Sequence, residues 1–138
     1  MEPGEIYKNK LKSLKDAYSD FKGSFEINFS SFGEKEIDVF KSGQIQKFEF
    51  SVELLWKVMQ RYLYEKVGED VSGPKPVVKA FYNNNLINEE IYKILFEMIE
   101  ARNKLSHLYD KKSFEEIYIR LKDFLNCFEI VIQILSNK

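Results

Sequence analysis

From about Asp38 to Lys66 the chain carries no proline and a single glycine, Gly43, and Gly68 follows as a natural stop. Ile45, Phe48, Val52, Leu55, Trp56 and Met59 recur there at helical spacing. The stretch therefore reads as one long helix. Its apolar residues do not stay on one side, because Phe50, Leu54 and Val58 lie away from the main stripe. A bundle core covers one face of a helix, so the second face needs another partner. A homodimer is the simplest cover, and the alternative is the short helix or the Phe-rich loop described below.

Helical patterns fill the rest of the chain. A first helix is expected from about Ile6 to Phe21, with Leu11, Leu14, Tyr18 and Phe21 inward. Gly23 to Gly33 reads as a loop, although Phe25, Phe29 and Phe32 must cover something apolar. Gly73, Pro74 and Pro76 mark a loop or a helix start, and a short helix follows from about Pro76 to Asn83. Glu89 to Leu105 is the next helix, with Asn88 as its cap. Asp110-Lys111-Lys112 reads as a turn, and Ser113-Phe114-Glu115-Glu116 as a capping box. That box opens a last helix with Ile117, Leu121, Phe124, Phe128, Val131 and Leu135 inward. No alternation of the kind strands need competes with these patterns, and no internal repeat is evident. The expected fold is all-α: an antiparallel four-helix up-and-down bundle with an extra short helix, one domain over residues 1–138.

Charge and cysteine content exclude several classes. The formal net charge is −1 and the pI about 6.0. Bulk positive charge is therefore not the means by which this chain would coat a nucleic acid, although gripping one phosphate locally stays open. The lone Cys127 allows no internal disulfide and suits a reducing cytoplasm. No Cys/His cluster has zinc spacing, and no metal or cofactor is expected. The N-terminal Met1-Glu2-Pro3-Gly4-Glu5 does not read as a signal peptide. The longest apolar run, Phe124 to Leu135, is interrupted by Asn126, Glu129 and Gln133, so no membrane span is expected.

The chemistry-bearing stretch is Arg102-Asn103-Lys104-Leu105-Ser106-His107-Leu108-Tyr109, which holds the sole histidine. Ile91, Ile94, Leu95, Met98 and Leu105 form the apolar stripe of the Glu89–Leu105 helix, and Arg102 falls inside it. A buried arginine without a partner costs several kcal/mol. Something must meet it: a structural ion pair across helices, or a phosphate at a cleft. Glu49, at the edge of the long helix's stripe, is a candidate partner within the chain or across a dimer. It could equally pair with Lys47 or Lys57, or stand in solvent. Asn103 and His107 are four residues apart and share a face if the helix continues. Histidine as a residue type suits proton transfer near neutrality, though a lone one is more often a plain surface or core residue. Tyr109 would return to the arginine's side under continued helical geometry, and is otherwise a core aromatic with its hydroxyl at the rim.

Arg-Asn-x-x-x-His-x-Tyr resembles the signature of the HEPN superfamily, in the branch that pairs with minimal nucleotidyltransferases (MNT). Gly43 to Lys57, with its Gln-x-Phe-Glu-Phe and Leu-x-Trp-Lys pattern, is similar to that branch's second helix. The resemblance runs from about Ile6 to Leu135. It implies a dimer whose motifs face a shared cleft. It also implies a separate nucleotidyltransferase partner and, in several systems, a ribonuclease toxin that the partner silences by adding AMP to the tyrosine, here Tyr109.

Three readings stay open at this stage. In the first, the protein is a cytoplasmic, metal-independent endoribonuclease. Arg102 holds the phosphate, His107 is general acid or base, and Asn103 orients the histidine or donates to a phosphate oxygen. In the second, the same cleft holds a nucleotide or other substrate and presents it to a transferase on another chain. This chain itself lacks the paired aspartates such a transferase needs after Gly23-Ser24. In the third, the protein is a structural helical dimer with an ion-paired arginine.

Overall fold

In a computed structural model, residues 2–107 and 110–137 are described. Helix α1 is Pro3–Gly23, α2 Glu34–Tyr62, α3 Pro74–Asn83, α4 Glu89–Leu105, α5 Lys111–Tyr118 and α6 Leu121–Ser136. No strand occurs among the described residues. The four long helices α1, α2, α4 and α6 make the bundle. Tyr7 near the start of α1 bonds the Leu135 carbonyl at the end of α6, and its ring meets Tyr62 at the end of α2. Those contacts set α1 antiparallel to both neighbours. Glu53 of α2 against Arg102 of α4, and Glu97 of α4 against Arg120, complete the alternation.

Local chemistry explains where the boundaries moved. Helix α2 starts at Glu34 rather than Asp38, because the Glu36 side chain accepts the Gly33 N–H at 2.9 Å and seals the N-terminus one turn earlier. It continues past Tyr62 as a π-helical turn, Leu63–Val67, and stops at Gly68, whose φ of +82° places it in the left-handed region glycine favours. Helix α3 begins at Pro74, where a proline lacks no needed N–H. The expected capping box at Ser113 is not the cap. Asp110 takes that role, accepting from the Lys112 N–H and the Ser113 hydroxyl, so the helix opens at Lys111. The single last helix is two helices with a turn at Ile119-Arg120.

One core runs the length of the bundle. Phe21, Phe48, Phe124 and Phe128 pack ring against ring at its centre, with centroids 5.3 to 6.5 Å apart. All six inward residues expected of the last helix are buried. The second face of α2 is partly covered within the chain: Val58 is buried in the same core as Val77, Val78 and Phe81 of α3, which packs on α2. Val58 therefore gives no reason for a second copy, whereas Phe50 stays 54 % exposed. The Phe-rich loop also has an answer. Phe29 and Phe32 pack on Phe40 of α2, at 5.3 and 6.1 Å, as a small satellite cluster. No helix among the described residues is long and apolar enough to cross a membrane.

Candidate functional site

The site is built where α4 passes α2. Asn88 caps α4 by accepting the Ile91 N–H at 2.8 Å, which fixes the helix start and hence the angular position of every later residue. Ile91, Leu95, Met98 and Ile99 are buried. That phase turns Arg102, in the last turn, inward toward α2.

The carboxylate that meets Arg102 is Glu53, one turn beyond Glu49. Arg102 Nη2 stands 3.4 Å from Glu53 Oε1. Glu53 has other partners: Trp56 Nε1–H donates to Oε1 at 3.2 Å, and Lys57 Nζ lies 3.7 Å from Oε2. Arg102 Nε is buried and has no hydrogen-bond partner among the described residues. Glu49 faces the same charge without closing an ion pair on it. Desolvation pushes its carboxyl above the ordinary glutamate range, and Arg102 pulls it back only in part. Glu49 also lines a groove with Leu105, Asp110 and Phe114, which runs along α2 to the start of α5.

Asn103 and His107 sit elsewhere on the helix. Both are exposed. At about 100° per residue they lie on the solvent face of α4, more than a quarter turn from Arg102. Ser106 caps the helix in near-helical geometry, and the His107 N–H donates to the Lys104 carbonyl at 3.0 Å, so the histidine continues that face. Among the described residues no hydrogen bond joins the Asn103 or His107 side chain to Arg102. Tyr109 lies outside the described residues. No group of three or more His, Cys, Asp or Glu among them is placed to hold a metal ion.

Glu53 and Trp56 are the site residues that sequence reasoning did not single out. The signal was available: Glu53 is four residues after Glu49, on the same edge of the stripe. Together the groups make a half-buried guanidinium with one N–H unused among the described residues, held loosely by a carboxylate, with a second carboxylate beside it and a histidine on the adjacent face. That arrangement suits a phosphate, which takes an arginine through two parallel N–H bonds.

Known proteins resemble the chain along its length. The profile of the family described as nucleotidyltransferase substrate binding protein like matches residues 9–137. A Haemophilus influenzae protein named probable ribonuclease HepT is 32% identical over 92 residues, which cover 64% of this chain and 62% of that one. The chain thus spans less than two thirds of that curated relative's length. A solved structure from Thermus thermophilus is 27% identical, with 95% of this chain and 99% of that one covered and a TM-score of 0.71. A tri-AMPylated Shewanella oneidensis HEPN toxin, solved in complex with an MNT antitoxin, superposes over 100% of both chains with a TM-score of 0.78 at 17% identity. A Haemophilus influenzae structure described as the fold of a substrate binding domain of a nucleotidyltransferase covers 96% of this chain and 98% of its own, with a TM-score of 0.67 at 23% identity. The last two likenesses establish the fold.

Proposed function

Since this chain belongs to the nucleotidyltransferase substrate binding protein like family, we propose that it is a HEPN protein of the kind paired with MNT partners and acts as a metal-independent endoribonuclease beside a transferase on a separate chain. The observation that carries this reading is Arg102: inward-facing, joined to Glu53 only at 3.4 Å, and with Nε buried and unpartnered among the described residues. A phosphate placed there would displace Glu53 from Nη2, and would take Nε as well once the arginine turns out of its buried position. His107 then serves as general base or acid. The 2′-hydroxyl loses its proton, its oxygen bonds to phosphorus, the P–O5′ bond breaks, and the departing O5′ takes up a proton. The products are a 2′,3′-cyclic phosphate and a 5′-hydroxyl. Arg102 stabilises the charge that builds on the non-bridging oxygens, and Asn103 orients His107 or donates to one of them. Because His107 and Arg102 of one chain face different ways, the histidine that acts on a phosphate held by Arg102 would be that of a second copy of the chain.

The test is incubation of the purified protein with mixed transfer and messenger RNA in EDTA, beside its His107→Ala variant. Cleavage with cyclic phosphate ends, lost in the variant, is the expected result. A folded parent that cleaves nothing overturns the reading.

The same separation of His107 from Arg102 favours a second reading, in which the cleft binds a nucleotide and delivers it to the transferase. The family description and the substrate-binding-domain relative support it. Nucleotide binding that depends on Arg102, with no cleavage of RNA, is its signature. Silencing by the partner predicts one added AMP on Tyr109, read by mass spectrometry after incubation with the transferase and ATP.

A further inference from the structure

The solvent face of α4 that carries Asn103 and His107 also carries a ladder of aromatic rings. Tyr82, at the end of α3, stacks on Tyr92 with centroids 4.9 Å apart and planes 20° from parallel. Tyr92 continues to Phe96, one turn on, at 5.9 Å. The Lys75 ammonium lies 4.9 Å from the centre of the Phe96 ring. Tyr82 is 37 % exposed, and Tyr92 and Phe96 are half-buried, so the ladder reaches solvent. A groove runs from Tyr92 and Phe96 along α4 to Lys104, the neighbour of Asn103.

We propose that this ladder is a stacking platform for single-stranded RNA, which lays bases on the rings and its backbone toward Lys104, Asn103 and His107. The proposal rests on the ribonuclease reading for its substrate. Aromatic rings interleaved with cations bind any base by its π-face, which gives affinity without sequence preference. The cations on this face are Lys75, Lys93 and Lys104, and part of the acidic charge is already paired. Glu97 is neutralised by a two-pronged contact with Arg120, at 2.7 and 2.6 Å, and Glu89 pairs with Lys93 at 3.2 Å. Glu100 and Glu116, both exposed and lining the groove, oppose the strand. By helical geometry Phe96 lies about 10 Å along the axis from Asn103. By the same geometry His107 lies about 16 Å from Phe96, so a strand stacked on the rings brings a phosphate to the histidine two or three nucleotides on.

The experiment uses single-stranded RNA containing 2-aminopurine and the full chain carrying His107→Ala, so that the strand survives. Tyr82→Leu/Tyr92→Leu keeps apolar volume and removes the π-faces, and Tyr92→Phe is the conservative control. Circular dichroism and thermal melting confirm that each is folded. The expected result is quenched fluorescence on binding, with Kd raised about tenfold to a hundredfold and quenching lost in the double Leu variant but kept in Tyr92→Phe. Equal binding and quenching by the Leu variant overturns the platform. So does an absence of RNA binding, or a Leu variant that loses only the transferase partner and keeps RNA. Cleavage by the parent chain in EDTA, run in parallel, judges the ribonuclease reading separately. Cleavage without ladder-dependent binding removes the platform alone, and ladder-dependent binding without cleavage removes the ribonuclease alone.

Discussion

The guanidinium of Arg102 meets the Glu53 carboxylate through one nitrogen, Nη2 to Oε1 at 3.4 Å, while its Nε stays buried without a partner among the described residues. Glu53 is held in place by Trp56 and Lys57, so the arginine is the member of the pair free to change partner. The arginine is thereby parked rather than consumed.

Glu53→Gln keeps an acceptor for the Trp56 N–H and removes the competing charge. RNA or inorganic phosphate should bind more tightly by up to about fivefold, the range of a partly exposed ion pair. Trp56, the sole tryptophan, reports the exchange by its emission. Unchanged or weaker binding would show that Glu53 does not compete for Arg102.

Arg102→Ala should lower RNA cleavage by about 10² to 10³, the usual effect of removing one donor to a developing charge. Arg102→Lys should restore only part of it, because an ammonium cannot make the two parallel bonds. Full activity in the Lys variant would argue for a simple point charge at that place.

Glu49→Gln should raise the melting temperature at neutral pH. Desolvation lifts the Glu49 carboxyl above its value of 4.5 in the unfolded chain, so the folded state carries a penalty above the folded pKa. That penalty fades as pH falls through the raised pKa toward 4.5. The advantage of the Gln variant should therefore shrink between neutral and acid pH, in melts recorded across that window. A gain that grows on acidification would contradict the assignment.

Tyr7→Phe removes the hydroxyl that donates to the Leu135 carbonyl at 2.6 Å in a buried setting. The orphaned carbonyl should lower stability by about 1 to 3 kcal/mol, read as a lower denaturant midpoint at unchanged slope. A neutral effect would mean that water reaches the carbonyl.

Cys127 is buried, and burial pushes its thiol up to about 12. Native protein at mildly alkaline pH should react with a thiol reagent only at the rate at which it unfolds, and at once in denaturant. Rapid native labelling would place the thiol at the surface.

How much of this was legible in the sequence depends on what each feature needs. The helix Glu89–Leu105 with its Asn88 cap, the inward turn of Arg102 and the buried stripe of α6 follow from local chemistry and a period of 3.6 residues. Each was readable because a helix fixes its own faces. The split at Ile119-Arg120 was not, since Arg120 breaks away to grip Glu97 on another helix. The cover over Val58 and the place of the Phe29–Phe32 loop likewise required knowing which elements meet.

By itself the sequence determined an all-helical bundle, the caps and stops of most helices, and an arginine that had to face inward and find a partner. Only the tertiary structure decided that the partner is Glu53 rather than Glu49, and that Asn103 and His107 stand on the outer face beside Tyr92 and Phe96. The reason is register. A periodic pattern gives the angle of a residue about its own helix, but its height against the facing helix is set by how the side chains of both interlock in the core.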